Sequence, residues 1–154
     1  MKFILTLLTL VVLTLGSGCA SNQNAAITPG TNLGALKKFY VVRLPADTRG
    51  INQLIADEFS RRGFEASTGE VINAPAGVDA VVTYQDKWMW DLTMYMIRLD
   101  IQLRKPQNDV PMAIGSSLRT SLVRKSPPEM VKEVLDQIYS DPKAKTPSPA
   151  MGTK

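Results

Sequence analysis

Tyr95-Met-Ile-Arg-Leu-Asp-Ile-Gln-Leu-Arg104 is the stretch that decides the fold. Tyr95, Ile97, Leu99, Ile101 and Leu103 recur at every second position, with Arg98, Asp100, Gln102 and Arg104 between them. A period of two marks a strand with one buried face and one wet face. The preceding residues 81–90 read as its hairpin partner, folded back through Asp91-Leu92. That pairing sets Trp88 against Tyr95, Asp86 against Ile97, Tyr84 against Leu99 and Val82 against Ile101, all on one face. Met89/Met94, Lys87/Met96, Gln85/Arg98 and Thr83/Asp100 then share the other. Asp-Leu is not a favoured two-residue turn, which leaves a register shift of one or two residues open.

Working outward, residues 39–44 (Phe-Tyr-Val-Val-Arg-Leu) form a strand stopped by Pro45. Ile51, Leu54, Ile55 and Phe59 fall on one helical face, and Gly63 is placed to cap that helix after Arg61 and Arg62. A strand over residues 64–72 and a loop over 73–79 follow. Beyond the hairpin, a loop over 105–111 leads to a strand over 112–123. Its Met112, Ile114, Leu118 and Leu122 are expected inside, and Ala113, Gly115, Ser117, Arg119 and Ser121 outside. Ser126-Pro127-Pro128-Glu129 is a capping-box pattern with prolines in the first helical turn. It opens a helix through Met130, Val134, Leu135 and Ile138, ending near Ser140.

The order is β-α-β-β-β-β-α. Two amphipathic helices can bury their stripes only against the sheet, so the fold class is α+β: a two-layer sandwich with both helices on one face. The sheet has four to five strands, mixed but mainly antiparallel, because the strand-helix-strand start permits a right-handed crossover. Residues 37–140 form the single domain. Residues 20–36 read as a flexible leash with a mean reach of about 20–25 Å, and residues 141–154 as a disordered tail.

The chain contains no histidine and one cysteine, Cys19. Acid–base work near neutral pH, zinc ligation and disulfide formation are therefore poorly provided for. No metal site and no cofactor are expected. Net charge is +4 and falls to +3 without Lys2, a mild excess that favours anionic neighbours weakly. Nucleic acid is not an expected partner, since no basic helix or aromatic binding signature is present. Ser140-Asp-Pro-Lys143 matches Ser-x-x-Lys on paper, but it straddles a helix end, where no rigid shell would hold the pair. The chain is expected not to be an enzyme.

The start of the chain carries Lys2, an apolar run from Phe3 to Leu15, and Gly16-Ser17-Gly18 leading into Cys19. A charged start, an apolar core too short to span a bilayer and small residues at its end have the form of an export signal. With Cys immediately after, residues 1–18 resemble a bacterial lipoprotein signal. The departure is Gly16 where that family most often has Leu. The resemblance implies cleavage before Cys19, diacylglycerol on its sulfur and an acylated α-amine. It also implies outer-membrane sorting, because Ala20 rather than Asp follows the Cys, with the domain facing the periplasm. Behind such a signal, the element order resembles small periplasmic α/β lipoproteins and, more distantly, the pore-plugging lipoprotein of lipopolysaccharide assembly.

Two constellations qualify as contact sites. Around the hairpin tip, Trp88, Met89, Trp90, Met94 and Met96 are candidate partner or membrane contacts, because Trp suits the headgroup level and Met adapts to varied surfaces. Trp88 lies with Tyr95 on the apolar face, where a core role is the simpler reading. Asp86 interrupts that face and is expected to be solvated where the hairpin projects past the helices. Arg98, Arg104 and Arg119 are candidate anion contacts on the open face, where guanidinium groups could grip phosphate or carboxylate. An ordinary solvated face is the simpler alternative. The combined expectation is a membrane-anchored lipoprotein that binds another envelope component, chiefly a protein. The rival is a lipid or lipopolysaccharide binder with a cavity lined by Tyr84, Leu99, Ile114 and Leu135.

Overall fold

A computed structural model describes residues 22–70 and 75–140. The expected signal peptide (1–18), Cys19, the tail (141–154) and the end of the 64–72 strand lie outside the described residues. The chain order is β1 (Asn22–Ile27), β2 (Lys38–Val42), α1 (Ile51–Arg61), β3 (Glu65–Gly69), β4 (Ala80–Asp91), β5 (Thr93–Arg104), β6 (Pro111–Leu118) and α2 (Pro127–Ser140). The strands form one mixed sheet in the order β1-β6-β5-β4-β2-β3. β2 runs parallel to both β3 and β4, and the remaining pairs are antiparallel. The α+β two-layer architecture stands, with six strands rather than four to five.

The additional strand is β1, and it corrects the expected leash. Residues 22–27 pair with β6 from Asn22↔Leu118 to Ile27↔Ala113. Gln23, Ala25 and Ile27 alternate towards α2: Ile27 is buried, Ala25 packs on the core, and Gln23 Oε1 accepts a 3.0 Å hydrogen bond from Gln137 Nε2. Leu33, also within the expected leash, is fully buried in a 3-10 turn over Leu33–Ala35.

One core cluster lies between the sheet and the two helices. Phe39 on β2 stacks on Phe59 of α1 at 4.2 Å, and Phe64 stacks on Tyr139 of α2 at 5.6 Å. Gly63 ends α1 with φ +84°, donating to Ser60 O while Phe64 donates to Phe59 O. This is the expected left-handed cap. Arg62 links the helices, bonding Glu58 Oε1 at 2.8 Å and Asp136 Oδ1 at 2.7 Å.

Met112 is buried in the core as expected, but beyond it strand β6 presents the face opposite to the expected one. Ala113, Gly115 and Ser117 are buried towards α2, whereas Ile114 is exposed on the bare face. A Cβ at Gly115 would sit 2.8 Å from both Val134 Cγ1 and Ile138 Cγ1. Small residues face inwards because α2 lies too close for anything larger. The strand also stops at Leu118, and residues 121–123 form a 3-10 turn instead of continuing it.

Helix α1 is seated by a carboxylate. Asp47 is buried and accepts hydrogen bonds from the backbone N–H of Arg49 and Gly50, both at 2.8 Å, from that of Asn52 at 3.1 Å, and from the Tyr84 hydroxyl on β4 at 2.6 Å. Burial opposes ionisation of Asp47, but these four donors outweigh it and hold the carboxyl below its ordinary value. The same contact, together with burial, pushes the Tyr84 hydroxyl pKa upward.

Two outcomes follow from this packing. Gly115→Val is expected to cost about 1–3 kcal/mol in urea unfolding, and a midpoint equal to that of the parent would contradict the close α2 approach. Because folding lowers the Asp47 pKa, its contribution is complete above the unfolded value near 3.8 and is lost as pH falls through the folded value. Tyr84→Phe is expected to cost about 1–3 kcal/mol at neutral pH and to flatten the acid-induced decline measured by circular dichroism. An unaltered acid profile would contradict the assignment.

Candidate functional site

The hairpin carries the candidate site, and a bulge fixes which side chains it presents. Tyr84 pairs with Ile101, Val82 with Leu103 and Asp86 with Leu99, a shift of two residues from the expected register. An even shift preserves the face, so Val82, Tyr84, Leu99, Ile101 and Leu103 all remain in the core. Leu92 alone makes the turn between Asp91 and Thr93, at φ +59°.

Between Lys87↔Arg98 and Trp88↔Met96, Ile97 is an extra residue on β5. Such an insertion reverses the alternation beyond it. Met96, a candidate contact, is therefore fully buried in the core, and Tyr95, expected inside, is buried as well but under Arg124 and outside the core cluster, paired with Met89. Trp88 is half-buried against the core, as its preferred reading required. Its Nε1–H donates to the Asp86 carboxylate, and Arg49 lies over its ring at 4.3 Å.

Past the bulge the hairpin also exposes four apolar side chains. Trp90 is 70 % exposed, Leu92 88 %, and Met89 and Met94 are also exposed. Arg124 braces this tip: it lies over the Tyr95 ring at 4.0 Å and bonds Thr93 Oγ1 at 3.0 Å and Asp91 Oδ2 at 2.8 Å. That brace brings the 121–123 turn to the tip, where Leu122 is 79 % exposed. Sequence reasoning placed Leu122 inside and gave Leu92 and Arg124 no role. An apolar residue at the tip of a tight turn was the available signal for Leu92.

The three candidate anion-binding arginines do not form a cluster. Arg98 is exposed on the open face and pairs with Asp100 at 2.8 Å. Arg104 bonds Asp109 Oδ2 at 2.6 Å and Gln102 Oε1 at 2.8 Å. Arg119 contradicts its expected place: it is buried on the helix side and paired with Glu133 of α2. It follows the same inverted β6 alternation as Ser117, whose hydroxyl donates to Glu133 Oε2 at 2.9 Å. Burial opposes ionisation of Glu133, but Arg119, Lys125 and Ser117 together hold its carboxyl below the usual range. The bare face around Gln85, Lys87, Arg98 and Asp100 is a shallow polar cleft of mixed charge.

Arg119→Ala leaves Glu133 poorly compensated and is expected to cost about 3 kcal/mol. Chemical unfolding checks this, and a loss typical of exposed ion pairs, below about 1 kcal/mol, would contradict a structural role.

No protein-family model and no curated protein sequence matches the chain. Several solved structures share its fold. The PelC dodecamer from Paraburkholderia phytofirmans aligns with a TM-score of 0.55 at 12% identity, over 77% of this chain and 98% of that one. A DUF4136 family protein from Bacteroides thetaiotaomicron aligns with a TM-score of 0.50 at 8% identity, over 83% of this chain and 99% of that one. A PDZ domain protein from Parabacteroides distasonis aligns with a TM-score of 0.51 at 11% identity, over 82% of this chain and 36% of that one. At these identities the likeness is one of fold.

Proposed function

We propose that this protein is a non-enzymatic lipoprotein of the bacterial envelope, acylated on Cys19 and sorted to the outer membrane. Its periplasmic domain binds or scaffolds another envelope component, a protein. The observation that carries the reading is the join between the two parts of the chain. An apolar leader ends in the lone cysteine, and an ordered edge strand begins three residues later at Asn22. Tethering raises the effective concentration of the domain near partners in the same thin shell, so modest contacts suffice.

The partner surfaces are the outer edges of β1 and β3, which end the sheet on either side. Each offers backbone groups to an added strand. The PelC structure is a dodecamer, which makes a second copy of this chain one candidate for that strand. Protein binding is favoured over lipid uptake by the interior: Tyr84, Leu99 and Leu135 are packed in one core, and Ile114 is on the opposite face. The four residues of the lipid reading therefore do not line one space. The non-enzymatic reading rests on how the buried carboxylates are used. Asp47, Glu58 and Glu133 are each held by donors that seat helices.

The test is mass spectrometry of the protein purified from membranes, paired with Cys19→Ser in cells. The expected result is a diacylglyceryl and N-acyl adduct on Cys19, with release of the Ser variant from the outer-membrane fraction. Photo-crosslinkers at exposed Asn24 and Ser67 on the edge strands are expected to capture an envelope protein or a second copy. An unmodified Cys19, or capture of phospholipid alone from both edges, would contradict the proposal.

A further inference from the structure

We infer that the β4–β5 hairpin tip is a membrane-contacting element, held in the interface of the bilayer that anchors the chain. The inference rests on acylation of Cys19 as proposed above, and adds to it a direction and a distance.

Sheet register places the anchor and the tip at the same end of the molecule. Asn22 pairs with Leu118, and Leu118 with Arg98. From the level of Arg98, opposite Lys87, β4 runs on for four residues to Asp91 opposite Thr93, or about 13 Å at 3.3 Å per residue, and Leu92 turns the chain beyond that pair. Three peptide steps separate Cys19 from Asn22, and fully extended they span about 11 Å at most. A sheet standing on its hairpin end therefore carries the Asp91–Thr93 pair about 2 Å or more past the acylated residue and Leu92 further still, which sets the tip in the headgroup zone. Standing on the opposite end is excluded, because Pro111 lies seven residues along β6 from Leu118, about 23 Å away.

The chemistry of the tip suits that depth. Trp90, Leu92, Met94, Met89 and Leu122 are its exposed apolar residues. Trp is at home at headgroup level, and an apolar patch pressed into the interface gains by burial. Below it, Arg49 over Trp88 and Arg124 over Tyr95 place two guanidinium groups at the base of the tip, at the height of lipid phosphates. A tip with this composition aimed into water would be a liability.

The test uses acylated full-length protein reconstituted into phosphatidylethanolamine and phosphatidylglycerol vesicles carrying bromine near the top of the acyl chains. The difference in fluorescence between the parent and Trp90→Phe isolates Trp90, whose exposure makes that variant harmless to folding. Flotation of the protein with vesicles and quenching of the Trp90 signal by at least about twofold are expected. A Gly-Ser insert of about twenty residues after Ala20 is expected to weaken that quenching while flotation persists. Protein that floats with Trp90 unquenched overturns this inference and leaves the anchor intact. Protein that fails to float overturns the anchor, and the inference with it.

Discussion

The pairing of β1 with β6 is the constraint on which the rest of this structure depends. Six residues, Asn22–Ile27, close one edge of the sheet. Their inward side chains complete the floor under α2 with the neighbouring small residues of β6. The same ladder sets Asn22 level with Leu118 and so with Arg98 of the hairpin. On the reading that Cys19 is acylated, a seventeen-residue leash would uncouple the domain from the membrane, whereas strand β1 from Asn22 gives it an orientation.

The two layers divide the work. On the helix side, packing is tight enough that a methyl at Gly115 has no room, and buried charge is spent on fastening: Asp47 to α1, Arg119 to α2, Arg62 between the helices. Their donors hold the Asp47 and Glu133 carboxyls below the ordinary range despite burial. On the other side, charges pair locally, as Arg98 does with Asp100, and leave a mixed polar surface. The exposed apolar residues concentrate at one end, on the hairpin tip and on the turn that Arg124 ties to it.

Much of this was legible in residue patterns, and the failures share a physical cause. Alternation in Leu99, Ile101 and Leu103, the helical spacing of Ile51, Ile55 and Phe59, and the cap at Gly63 each reflect a single dominant local preference. Strand β1 was hidden because Asn, Gln and Ala are poor strand formers, and pairing with β6 overrides that tendency. Beyond Met112 the inner face of β6 was inverted because apolarity favours Ile114 inside, whereas the approach of Val134 and Ile138 demands Gly115 there. At the bulge, Tyr95, Met96 and Ile97 are all apolar, so alternation carries no information about phase, and only the pairing shows that Met96 is the one that joins the core cluster. The candidate contact site was visible as a cluster of Trp and Met, but its outward members could be chosen only after the bulge was located.

On the reading that Cys19 is acylated, the short connection makes one structural parameter decisive: the gap between domain and bilayer. Neutron reflectometry of the acylated protein on a supported bilayer measures it directly. Protein density continuous with the headgroup layer, with no water between, is the expected profile. A water-filled layer of about 20 Å, the height a free leash would give, would contradict the account.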